Sequence, residues 1–204
     1  MELALISPNS PSARAEWLSC RATMRCTRGA RHVTGADIVR ISRTLALEPW
    51  HFTQTAPAAA NDPTGIVMDE GRRRVNLRLA NAAGGCVFSI RTLSGVGRCG
   101  LGDLAPVTCR VFPADPARGS APTQRQPGCE CQEWTEKDLD EDKLTDGVSV
   151  WAADRDHWLE VVKRWNALAE ESDSALGIED FQRYLLEAQT AREAGAPWPE
   201  EVAV

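Results

Sequence analysis

Apolar and polar positions fall into three regimes along the chain. Ile38, Val39, Ile41 and Leu45 recur at helical spacing through IVRISRTLAL. Thr34, with Asp37 three residues on, supplies a capping box in front of them, so a helix is expected to start there. Pro49 opens a short second helical piece carrying Trp50 and Phe52, and APAAANDPTG reads as loop. After Gly65 the period drops to two. Val75, Leu77 and Leu79 alternate with Asn76, Arg78 and Ala80 as a half-buried strand, and GGCVFSI (Gly84–Ile90) reads as a second. Pro106 starts a short helical turn through Cys109, ended before Pro113. The last third returns to helical spacing. Trp158, Val161, Val162, Trp165, Leu168 and Ala169 share one face of a helix over Asp154–Glu170, and Phe181, Tyr184, Leu185 and Ala188 share another over Ile178–Glu193. This aromatic stripe reads as core. The class these elements compose is α+β, a small irregular sheet and cysteine-bearing loops with helices packed on it.

Punctuation divides the chain further. Pro8, Pro11 and several serines mark residues 1–16 as a flexible arm. Residues 17–115 hold the strands and most of the cysteines. Residues 116–150 are a connection, first rich in Pro and Gly and then acidic, and 151–204 form a helical region expected to pack on the core. At 204 residues the chain can enclose one sizeable core.

Charge changes the picture more than bulk composition does. The net charge of −6 argues against a general nucleic-acid binder. Six arginines and one acid lie between Arg21 and Arg43, and eight acids and two lysines between Glu130 and Asp146. Two solvated faces would account for this; arginines gathered around an anionic site would do so too. No apolar run reaches the roughly 18 residues of a membrane span, and the N-terminus lacks a basic leader with a long apolar stretch. A cytoplasmic location and no membrane partner are therefore expected.

The candidate chemistry lies in seven cysteines: Cys20, Cys26, Cys86, Cys99, Cys109, Cys129 and Cys131. A reducing compartment disfavours a disulfide framework. About four thiolates converging on one point hold a zinc or iron ion or an iron–sulfur cluster. Cys20 and Cys26 form a close pair, and Cys86, Cys99 and Cys109 can join it from later loops. Arg21, Arg25, Arg98 and Arg110 adjoin four of these cysteines, and adjacent cations are expected to favour thiolates. Cys129 and Cys131 lie beside Glu130 and Glu133, which oppose ionisation, and are expected to be peripheral: extra ligands or a spare redox pair. His32, His51 and His157 are weaker candidates, with His32 nearest the cysteine pair. No phosphate loop and no nucleophile elbow occurs.

The motif order resembles the YkgJ-type cysteine-cluster family, described as zinc- or iron-chelating domains. Its signature opens with C-x2-C-x2-C-C, followed by a helix with an Asp-Ile pair, a CVF strand, and a Cys ahead of a CRxFP turn. Cys20, Cys26 and Arg28 fit the opening; TGADIVRISRTLALEPWHF fits the helix, CVFSI the strand, and Cys99 with APVTCRVFP the closing turn. The resemblance spans about residues 17–115. It departs where Thr23 and Thr27 replace two motif cysteines, a hydroxyl being a poor ligand for soft metals, and where Leu104-Ala105-Pro106 replaces the usual Arg-Pro. What the resemblance implies is a divergent member with a reduced ligand set.

Three functions follow as expectations. The first is a metal-binding protein holding a zinc or iron ion or an iron–sulfur cluster through its cysteines, in an accessory or redox role. The second is a metal- or iron–sulfur-dependent enzyme that modifies a peptide or small molecule, in keeping with the family's likeness to part of the flagellin lysine N-methylases. The third is a thiol-redox protein. Beyond the metal, the partner expected is an anionic small molecule or a protein.

Overall fold

A computed structural model describes residues 11–22, 26–27, 31–69, 71–82, 84–91, 93, 97–112, 114, 116 and 140–200. The chain is α+β, with small antiparallel sheets and a helical C-terminal part. It divides into two discontinuous units, one made of Met1–Val33 and Leu79–Ala153, the other of Thr34–Arg78 and Asp154–Val204. This differs from the linear division of the sequence. The 34–78 segment groups with the C-terminal helices, whereas the cysteine loops group with the first part of the long helix.

In the first unit, α1 (Pro11–Arg21) forms where a loose arm was expected. Pro11 occupies its first position, where a missing N–H costs nothing, so this proline starts a helix. The strand expected over Gly84–Ile90 is broken. Asn81–Ala82 (β4) pairs with Gly85–Cys86 (β5), the chain turns at Val87–Phe88, and Ser89–Arg91 (β6) pairs antiparallel with Gly97–Cys99 (β7). The short helix α3 (Val107–Arg110) follows Pro106, as expected. The long helix α4 (Glu141–Glu171) begins well before the expected Asp154. Asp140 accepts the Lys143 N–H at 3.1 Å, and Glu141 and Asp142 suit the positive end of the helix dipole. Gly147 is required within that helix because a Cβ there would collide with Val111 Cγ1. An apolar cluster of Trp17, Cys20, Val107, Val111, Phe112, Ala114, Leu144 and Trp151 packs α1, α3 and the start of α4 together.

The second unit contains α2 (Gly35–Leu45), a 3-10 turn at Pro49–His51, a sheet of order β1–β3–β2 and helix α5 (Ile178–Ala194). The strands are Thr53–Pro57 (β1), Ile66–Met68 (β2) and Arg73–Leu79 (β3), with Ile66 opposite Val75. Thr34 and Asp37 form the expected capping box. Trp165 packs edge-on against Phe181 at 5.2 Å and donates its indole N–H to the Val67 carbonyl at 2.9 Å. The aromatic stripe is core, as its spacing implied. Among the described residues, no helix is long and apolar enough to cross a membrane.

Candidate metal centre

The first unit brings four of the predicted cysteines into one neighbourhood and sets one apart. Cys26, Cys86, Cys99 and Cys109 are free thiols, whereas Cys20 is disulfide-bonded and packs in the apolar cluster with Trp17 and Val107. Cys20 therefore offers no thiolate in this structure, and the expectation that disulfides are disfavoured does not hold at this position. Cys129 and Cys131 lie outside the described residues, as do Thr23, Arg25 and Arg28.

The local sequence explains how each free thiol is positioned. Gly84 and Gly85, at φ of 105° and 142°, turn the chain into β5 and place Cys86 opposite Asn81. A side chain at 85 would come within 2.5 Å of the Cys26 carbonyl oxygen, so the glycine lets the Cys26 backbone lie against the Cys86 strand. Arg31 fastens the same junction. Its Nη1 donates to the Cys26 carbonyl at 3.0 Å and its Nη2 to Asn81 Oδ1. Cys99 ends β7 opposite Ser89, and the Gly100 N–H donates to the Phe88 carbonyl at 2.8 Å, tying the turn after Cys86 to the turn after Cys99. Cys109 is buried on α3, where its N–H donates to the Pro106 carbonyl at 2.8 Å. The neighbouring Thr108 hydroxyl donates to the His32 carbonyl at 2.8 Å and anchors the helix.

The two turns also direct backbone amides at sulfur. The Cys86 sulfur accepts the N–H of Phe88, and the Cys99 sulfur those of Leu101 and Gly102. Gly102 sits at a left-handed φ of 52°. Such donors stabilise a sulfur anion.

Burial nonetheless wins at these thiols. Desolvation, followed by repulsion from Cys109 and then by Cys99 and Cys86, pushes the Cys26 thiol up to about 12 against the relief that Arg21 offers. Cys86 and Cys99 are also raised, first by burial and with a contribution from Cys109, despite their amide donors and the nearby arginines. At Cys26, Cys86 and Cys99 burial thus outweighs the neighbouring arginines in the free protein. Adjacency in sequence is also a poor guide to which arginine acts. Arg98 is exposed beside Cys99, while cations among the described residues that act on the thiols include Arg21, at Cys26 and Cys99, and Arg31, at Cys86.

Mutual repulsion of the four sulfurs means they lie within electrostatic reach of one another. Among the described residues, however, no group of three or more His, Cys, Asp or Glu side chains forms a ready-made metal cage. The histidines add nothing to the set. His32 is exposed and engaged through its carbonyl; His51, its ring tilted against Trp50, and His157, stacked on Trp198, belong to the other unit. Sequence reasoning overlooked the amide donors of Phe88, Leu101 and Gly102. The available signal was the run of glycines flanking Cys86 and Cys99. Comparison of the chain with protein-family models, with curated proteins and with solved structures finds no match.

Proposed function

We propose that this chain is a metal-binding protein whose centre, a zinc or iron ion or an iron–sulfur cluster, is held by Cys26, Cys86, Cys99 and Cys109 in an accessory or redox role. The observation that carries the reading is the convergence of four free thiols from four separate segments of one unit, each within the field of the others. Thiols that repel one another on ionisation, two of them buried and two half-buried, can be held together as thiolates only by positive charge. The donor set fits such a group. Four sulfurs complete a tetrahedral shell, backbone amides already face two of them, and Arg21 and Arg31 supply positive charge at the rim.

Because the thiols are near one another without forming a cage, binding would draw the turns after Cys86 and Cys99 and the Cys26 segment together, and so couple to folding. The resemblance in motif order to cysteine-cluster chelating domains agrees with this reading, with Cys20 left out of the ligand set. The disulfide at Cys20 favours a second reading, that of a thiol-redox protein.

Purification without oxygen, followed by quantification of zinc, iron and acid-labile sulfide per chain, distinguishes the two. About one metal centre per chain supports the first reading, and sulfide in addition to iron identifies a cluster. Absence of all three metals-chemistry signals, with redox-active thiols instead, supports the second.

A further inference from the structure

Arg21 is the last residue of α1 and is only 4% exposed. Its guanidinium lies 5.3 Å from the centre of the Trp17 ring, one helical turn back, which holds it in place. Its Nε and Nη2 are buried and have no hydrogen-bond partner among the described residues. Arg31, equally buried, donates through Nη1 to the Cys26 carbonyl and through Nη2 to Asn81 Oδ1. A buried guanidinium with free N–H groups is costly, and such groups ordinarily have an anionic or carbonyl partner. The helix that carries Arg21 packs against β7, whose last residue is Cys99, and Arg21 also acts on Cys26.

The missing partner can be identified by charge. A divalent metal, or a cluster core with two positive charges, leaves two negative charges over when four thiolates bind it. Arg21 and Arg31 bring two positive charges to the same place. We infer that Arg21 is the ionic partner and hydrogen-bond donor of a metal–tetrathiolate centre, its free N–H groups meeting sulfur only when the centre is formed. The inference rests on the four-thiol reading and extends it to a residue outside the ligand set. Arg21 is a positioning and charge-compensating residue, because it bonds no metal itself.

The inference makes opposite predictions for the two states of the protein. Without metal, Arg21 is a buried charge lacking a counterion among the described residues, so Arg21→Met should raise the melting temperature of the reduced, metal-free chain by a few degrees. With metal, the same substitution removes the compensating charge, and affinity should fall about tenfold or more, as for other residues that support metal ligands. Co2+ is the probe, titrated into the reduced full-length chain and read by its sulfur-to-cobalt charge-transfer absorption.

Arg21→Gln, which keeps N–H donors but loses the charge, should also weaken Co2+, and it carries the test should Arg21→Met not fold. Co2+ affinity unchanged in a folded Arg21 variant overturns the inference, as does a metal-free Arg21→Met chain that melts lower than the wild type. A wild-type chain that takes up no Co2+ through sulfur overturns the four-thiol reading itself, and this inference with it.

Discussion

Zinc binding to the reduced, metal-free chain should release protons, and the number released can be worked from the burial of the thiols. Cys26 has its pKa pushed up to about 12, so at pH 7 it is protonated, and stripping its proton costs about 7 kcal/mol at about 1.4 kcal/mol per pH unit. Structural zinc sites have apparent affinities of about 10–16 kcal/mol at pH 7. Deprotonation is therefore a cost of the same order as the binding itself, yet not large enough to forbid it. Cys86 and Cys99, also raised, enter binding protonated as well. Each of these three thiols adds one unit to the slope of log affinity against pH. Affinity should then rise at least about a thousandfold between pH 6.5 and 7.5, with a slope of three or more. Competition against a chelator of known pH dependence measures this. Cys26→Ala should weaken binding and lower the slope by about one. A wild-type slope of one or less would refute the reasoning, since it would mean that the thiols are already ionised or are not the ligands.

Three further outcomes are expected. In the metal-free chain, the raised Cys26 pKa means that the unfolded thiol ionises near 9 while the folded one does so near 12. Stability should accordingly fall as pH rises through that window, by at most about 4 kcal/mol from this residue; the stability difference between wild type and Cys26→Ala should be constant below pH 9 and change between pH 9 and 12, and a difference that stays constant across that window would contradict this. Burial, followed by the Arg192 charge, lowers the pKa of His157 below its ordinary 6.5, so its stabilising contribution is complete above 6.5 and is lost as pH falls through the folded value; wild type should lose more melting temperature than His157→Gln between pH 7.5 and 5, and equal losses would refute the assignment. A Cβ at Gly35 would stand 2.7 Å from Leu185 Cδ1 and 2.9 Å from Trp158 Cε3, so Gly35→Ala should cost about 1–3 kcal/mol, and an unchanged melt would show that the helices yield.

What the sequence revealed and what it hid follow from the range of the forces involved. The capping box at Thr34 and Asp37, the turn at Pro106 and the stripe from Trp158 to Ala188 are local patterns, and each matches the structure. Pro11 is ambiguous in the sequence because a proline breaks a helix interior but suits a helix start. The acids at 140–142 read equally as a solvated connection and as the N-terminus of a helix, which they stabilise. The grouping of 34–78 with 154–204 depends on long-range packing that no local period encodes. At the site, the cysteine types were visible, but their states were not. Adjacent arginines suggested thiolates, whereas burial sets the protonation of Cys26, Cys86 and Cys99. Likewise Cys20, adjacent to Arg21 and close to Cys26 in sequence, lies in the apolar cluster and is oxidised.

The central claim is that four sulfurs bind one metal centre, and X-ray absorption at the metal edge tests it most directly. The protein would be purified without oxygen, or loaded with zinc after reduction. The account predicts a first shell of four sulfur atoms, at about 2.3 Å for zinc, losing sulfur in each of the Cys26→Ser, Cys86→Ser, Cys99→Ser and Cys109→Ser variants. A shell dominated by nitrogen and oxygen, or one unchanged by all four substitutions, would contradict it.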